Sequence, residues 1–84
     1  MVQEKKIGVV THFYTELSVG TVKLSAAVSV GDTLHFKGAT TDFTQPITSM
    51  QLEHQSADTG KAGDEVGIEV TEKVRDGDEV FLVS

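Results

Sequence analysis

Eighty-four residues, 38% of them apolar, with no cysteine and a formal charge of −6, bound the chain to one domain with a modest core and exclude a disulfide framework or a thiolate zinc site. The acidic balance disfavours nonspecific DNA binding, and no apolar run approaches the roughly 20 residues that cross a bilayer. The opening Met-Val-Gln-Glu-Lys-Lys lacks the apolar stretch of a secretory signal, so the expectation is a cytoplasmic protein with one domain over residues 1–84 and no membrane contact.

No stretch repeats apolar residues at helical spacing for three turns, and the chain reads as short strands parted by turn signals. The first predicted strand, residues 6–14, puts Ile7, Val9 and Phe13 on one face and Val10, His12 and Tyr14 on the other. Residues 21–24 form the second, with Val22 and Leu24 inward and Lys23 outward. Ala26 and Val28 continue it to a Val30-Gly31-Asp32 turn. The third, residues 32–37, turns Leu34 and Phe36 inward and ends at Gly38. Beyond it the parity switches, Phe43 and Ile47 sharing one phase and Met50 and Leu52 the other. With Pro46 unable to donate to a ladder, the switch predicts a break between strands at 40–45 and 47–54.

Residues 55–64 are polar and small and read as an exposed loop. In it Gly60 and Gly63 supply positive φ, and Asp64 bonds the backbone of the turn it closes. The turn opens the clearest strand, 65–70, with Val66, Ile68 and Val70 on one face and Glu65, Gly67 and Glu69 on the other. Gly67 leaves room for a neighbouring backbone. A third Gly-Asp turn, Asp76-Gly77-Asp78, leads into the last strand, 79–83, which is apolar on both faces. Six to eight short strands at this spacing predict an all-β fold, a small closed or nearly closed antiparallel barrel, since closure removes exposed edges. Charge is uneven: residues 1–42 balance, whereas 43–84 carry nine acidic groups against three basic ones, a solvated acidic face.

The order Val30-Gly31-Asp32-x-Leu34-x-Phe36, then Ile47-Thr48-Ser49-Met50-Gln51-x-x-His54, then Ala62-Gly63-Asp64-x-Val66-Gly67-Ile68 resembles the second domain of translational GTPases. These are the elongation factor Tu, elongation factor 1-alpha and selenocysteine-specific elongation factor group. The resemblance runs from Ile7 to Val83 and implies the antiparallel barrel of that domain. Similar barrels stand alone as small elongation-factor-like proteins and occur as C-terminal modules of collagenase-like peptidases. The resemblance implies a non-catalytic binding module for a protein or a structured RNA, tRNA- or ribosome-related, with Gln51, His54, Lys61 and Asp64 on its partner-facing strip. Elongation factor Tu has Glu and Phe-Arg where this chain has Gln51 and Glu53-His54. The alternative is an architectural accessory domain of an enzyme such as a collagenase-like peptidase.

Other chemistry finds little support in the residues. No Gly-x-x-x-x-Gly-Lys-Ser/Thr loop is present, so the chain is not expected to bind GTP by itself. His12, His35 and His54 lack the close spacing of shared metal ligands and read as separate surface histidines, and Ser49 stands in no nucleophile elbow. The expectation is therefore no metal, no cofactor and no catalytic group. Lys61, between Gly60 and Ala62, is placed to present a cation to a phosphate or carboxylate. Tyr14 and Phe81 read as core or partner-facing packing.

Overall fold

The computed structural model of the chain describes residues 3–53 and 55–83. Its regular structure is all β: β1 (Glu4–Tyr14), β2 (Val19–Leu24), β3 (Val28–Ser29), β4 (Thr33–Lys37), β5 (Asp42–Pro46), β6 (Met50–Leu52), β7 (Gln55–Ser56), β8 (Thr59–Gly60), β9 (Glu65–Glu69) and β10 (Glu79–Val83). Eight strands form one antiparallel sheet in the order β5-β4-β10-β1-β2-β9-β6-β7, while β3 pairs with β8 in a small ribbon. No helix of the described residues is long and apolar enough to cross a membrane.

Where the period of two is clean, the predicted faces are the observed ones. Val22, Leu34, Phe36, Val66, Ile68 and Val80 are all at least 99% buried, in one apolar cluster where Phe36 and Phe43 stack with centroids 5.1 Å apart. Each such side chain contributes roughly 1.5–3 kcal/mol of burial free energy. β1 departs from its predicted faces. Its register slips between Lys6 and Gly8 against β10 and between Val10 and His12 against β2. Each slip inserts an extra residue; the first, at Ile7, lets Ile7 and Val10, of opposite parity, both point into the core.

The three Gly-Asp turns are one device used three times. In each, the Asp amide donates to the carbonyl three residues back (Asp32 to Ser29, Asp64 to Lys61, Asp78 to Arg75, each 3.0 Å). Its carboxylate in turn accepts that residue's N–H, at 2.8, 3.0 and 2.8 Å respectively. The glycine before the Asp sits at φ +101°, +94° or +89°, where L side chains are strained. Gly60 is not such a residue. It lies buried in β8, where a Cβ would stand 2.7 Å from Leu24 Cδ1, so its role is space.

Three expectations are corrected. The stretch 55–64 is not an unbroken loop, since it carries β7 and β8, pairs too short to leave a period in sequence. Of the strand predicted at 47–54 only Met50–Leu52 is in β conformation, and His54 lies outside the described residues. The sheet also does not close into a barrel, because among the described residues no ladder joins its ends. After β5, whose final residue is Pro46 at the sheet edge, the chain itself crosses the gap. Ile47 bonds Asp32 and Gly31, and Ser49 O accepts from Glu69 N–H. Gln45, only 6% exposed, bridges the same seam: Nε2 donates to Glu69 O at 2.8 Å and Oε1 accepts from Thr71 N–H at 2.7 Å. Once the edge strand bends from β4 towards β9, one carboxamide satisfies what a ladder would otherwise satisfy.

Candidate functional site

The outer face of β1, β2, β9 and β6 carries an open groove of about 530 Å³. Its floor follows from one residue. Gly67 of β9 stands in register between Thr21 of β2 and Gln51 of β6, and without a side chain the sheet surface dips there. The neighbour a Cβ would meet is Val19 Cγ1 at 3.2 Å, so Gly67 makes room for an open groove and not for the backbone approach predicted. One end is apolar: Tyr14, Leu17 and Val19, with Tyr14 46% and Leu17 66% exposed. The other end carries Glu53, Asp64 and Glu65 beside Leu52, and no lysine or arginine is among the lining residues.

Hydrogen bonds fix the acidic end. Thr11 Oγ1 donates to Glu65 Oε2 at 2.8 Å and accepts from Thr21 Oγ1 at 2.7 Å, which holds the Glu65 carboxylate over β2. Asp64 is held by the N–H of Lys61. The two non-glycine residues of left-handed backbone among those described, Ser18 (φ 54°) and Glu53 (φ 53°), flank the groove at its two ends. Each costs of order 1 kcal/mol, which the surrounding turns must hold.

The sequence-predicted strip is thus partly assembled. Gln51 and Asp64 line the groove together; Lys61 is exposed on the neighbouring turn but outside the lining; His54 lies outside the described residues. Sequence reasoning did not assign Leu17, Val19, Leu52, Glu53 or Glu65 to a site. The signal available for Leu17 was an apolar residue inside the polar turn Glu16-Leu17-Ser18.

A second polar cluster lies on the outer face of β1, β10, β4 and β5. His35 of β4 holds Glu4 through Nδ1 (2.8 and 2.9 Å) and Asp42 through Nε2 (2.5 Å), with the Phe81 ring 6.2 Å away. Hydrogen bonds to Asp42 and then Glu4 raise the His35 pKa above its ordinary 6.5. His35 is therefore not a separate surface histidine but a clamp joining three strands. Among the described residues no group of three or more His, Asp or Glu side chains is arranged to hold a metal ion.

No family model matches the chain. Over 79 residues it is 35% identical to an uncharacterized protease of Methanocaldococcus jannaschii; the match covers 93% of this chain and 19% of the protease, so the chain spans about one fifth of that relative's length. Two solved structures of the C-terminal domain of a Geobacillus thermoleovorans protein assigned to the U32 peptidases superpose on it with TM-score 0.86. The selenomethionine form is 22% identical and covers 90% of this chain and 96% of the domain. The other is 21% identical and covers 93% and 91%. These relatives are protease and peptidase segments. They overturn the expected kinship with elongation factors and with it the translation- and RNA-related reading. The physical reason lies in the motifs that carried it. Val-Gly-Asp and Ala-Gly-Asp are two of three copies of a self-contained turn, specified by a positive-φ glycine and a carboxylate reaching back three residues, and such a turn reports local backbone chemistry in any β fold. What the comparisons support is the fold: the chain folds as that peptidase C-terminal domain does.

Proposed function

We propose that the chain is a non-catalytic accessory domain of a collagenase-like, U32-type peptidase, supplying a docking surface for protein and no reacting group. The observation that carries this is the extent of the match: nearly the whole chain aligns with about one fifth of a protease and folds like a peptidase C-terminal domain. The use of the polar side chains agrees. His35, Glu4 and Asp42 clamp strands, Gln45 bridges the seam, and the three Asp carboxylates build turns, while the groove offers a backbone floor with an apolar end and the exposed Gln51 and Glu53.

The test is calorimetric titration of the chain into the body of the Methanocaldococcus jannaschii protease deprived of its matching segment, together with a peptide-hydrolysis assay on the chain alone. Saturable one-to-one binding and no hydrolysis are expected. Absence of binding, or hydrolysis by the chain alone, overturns the reading.

A further inference from the structure

We infer that the groove over Gly67 takes an extended basic segment of a protein partner, with an apolar side chain seated at Tyr14, Leu17 and Val19 and a lysine or arginine at Glu53, Asp64 and Glu65. This deepens the accessory-domain reading and rests on it in taking the occupant to be protein.

Three features of the groove combine. First, its two ends differ in chemistry, and the sheet register gives their separation. Val19 lies opposite Glu69 and Lys23 opposite Glu65, so the apolar and acidic ends are four residues apart along β9, about 13 Å of extended chain. An occupant with an apolar residue and, about four positions away, a basic one matches both ends at once. Second, the charge is one-sided. Three carboxylates rim the acidic end and no cation is in the lining, although Lys23, the ladder partner of Glu65, stands beside it on the same face. Asp64 and Glu65 each accept one neutral hydrogen bond but face no countercharge within the lining, so covering them favours a cationic segment and repels an anionic one. Third, the floor is a backbone surface. At Gly67 an extended chain can lie against the sheet at a depth that any side chain there would deny it.

The floor supplies the decisive variant. Gly67 has an ordinary strand backbone, and a Cβ there meets only the half-buried Val19 side chain, at 3.2 Å. Gly67→Thr therefore fills the groove in a residue type that strands favour. Glu53→Gln with Glu65→Gln removes charge while keeping shape and the acceptor for Thr11.

The probe is a short fluorescein-labelled peptide carrying leucine and, four positions on, a lysine pair in a threonine background, read by fluorescence anisotropy against a twin with glutamate for lysine. The basic peptide should bind saturably and more weakly as salt rises, and the twin should not bind. Gly67→Thr and the double glutamine variant should each weaken binding about tenfold or more with the urea midpoint of unfolding not lowered. Equal binding of the twin, affinity untouched by Gly67→Thr, or labelled oligouridylate binding in place of the peptide would overturn the inference. No peptide binding while the chain still docks on the peptidase body overturns the groove assignment alone. Peptide binding without docking overturns the accessory-domain reading alone.

Discussion

Gly63→Ala separates backbone strain from packing in this fold. Gly63 sits at φ +94°, and nothing lies within 4 Å of where a Cβ would stand, so no neighbour contributes to the cost. What remains is the penalty of holding an L residue in left-handed backbone, about 1–2 kcal/mol. Against it stands a gain of about 0.4–1 kcal/mol because alanine narrows the unfolded ensemble. The balance is a loss of about 1 kcal/mol. Gly31 and Gly77 offer the same open space at φ +101° and +89°, so the three alanine variants should lose similar stability and, acting in separate turns, should add. Ala62→Gly, one position away, should cost less. The chain has no tryptophan and one tyrosine, so urea unfolding is best followed by far-ultraviolet circular dichroism. The midpoint should fall with the slope unchanged. Negligible losses at all three glycines would refute the account of the turns.

Other outcomes follow from the same geometry. Gly60→Ala should destabilise by a different route, about 1–3 kcal/mol of overpacking against Leu24 Cδ1 and Val66 Cγ1 at 2.7 and 3.2 Å, checked by the same melts. Gln45→Ala leaves the Glu69 carbonyl and the Thr71 amide without their partner and should cost about 2 kcal/mol or more; a loss under half that would show that water replaces the carboxamide. Because folding raises the His35 pKa, the clamp's contribution is complete below the ordinary value of 6.5 and disappears as pH rises through the folded value. Urea midpoints measured from pH 6 upward should therefore fall in the wild type and stay flatter in His35→Gln.

How much of this was legible beforehand depended on length and on what each signal reports. Strands with clean alternation, β4 and β9, declared both their place and their buried face; β2 declared its face but begins two residues before the predicted Thr21, and Val28, read as its continuation, lies in β3. β1 did not, because a bulge changes parity without changing composition, and nothing in Ile7-Gly8-Val9-Val10 says that two residues of opposite phase will both turn inward. β7 and β8 hold two residues each, fewer than a period needs to show itself. The Gly-Asp turns were read correctly as turns and over-read as a family signature. For the site, Gln51 and Asp64 were named through the resemblance to translation factors, helped by their polar, outward positions, and the structure places both along the groove. Tyr14, Leu17 and Glu53 come to line one groove only because the ladders set β1, β2, β9 and β6 side by side, an order no local pattern contains, and Gly67 was read for what it admits in backbone and not for the hollow it leaves.

The Gln45 carboxamide has a consequence for motion. Oriented with its oxygen towards one backbone group and its nitrogen towards another, it imitates a peptide unit, yet it hangs from a side chain and can swing away without moving a strand. Ladder amides such as those of Val22 and Ile68 are released only when two strands part. The Thr71 amide needs no more than a rotamer change, so its proton should exchange with solvent through a local fluctuation far shallower than unfolding. The seam between β5 and β9 is then expected to open ahead of the ladders on either side of it.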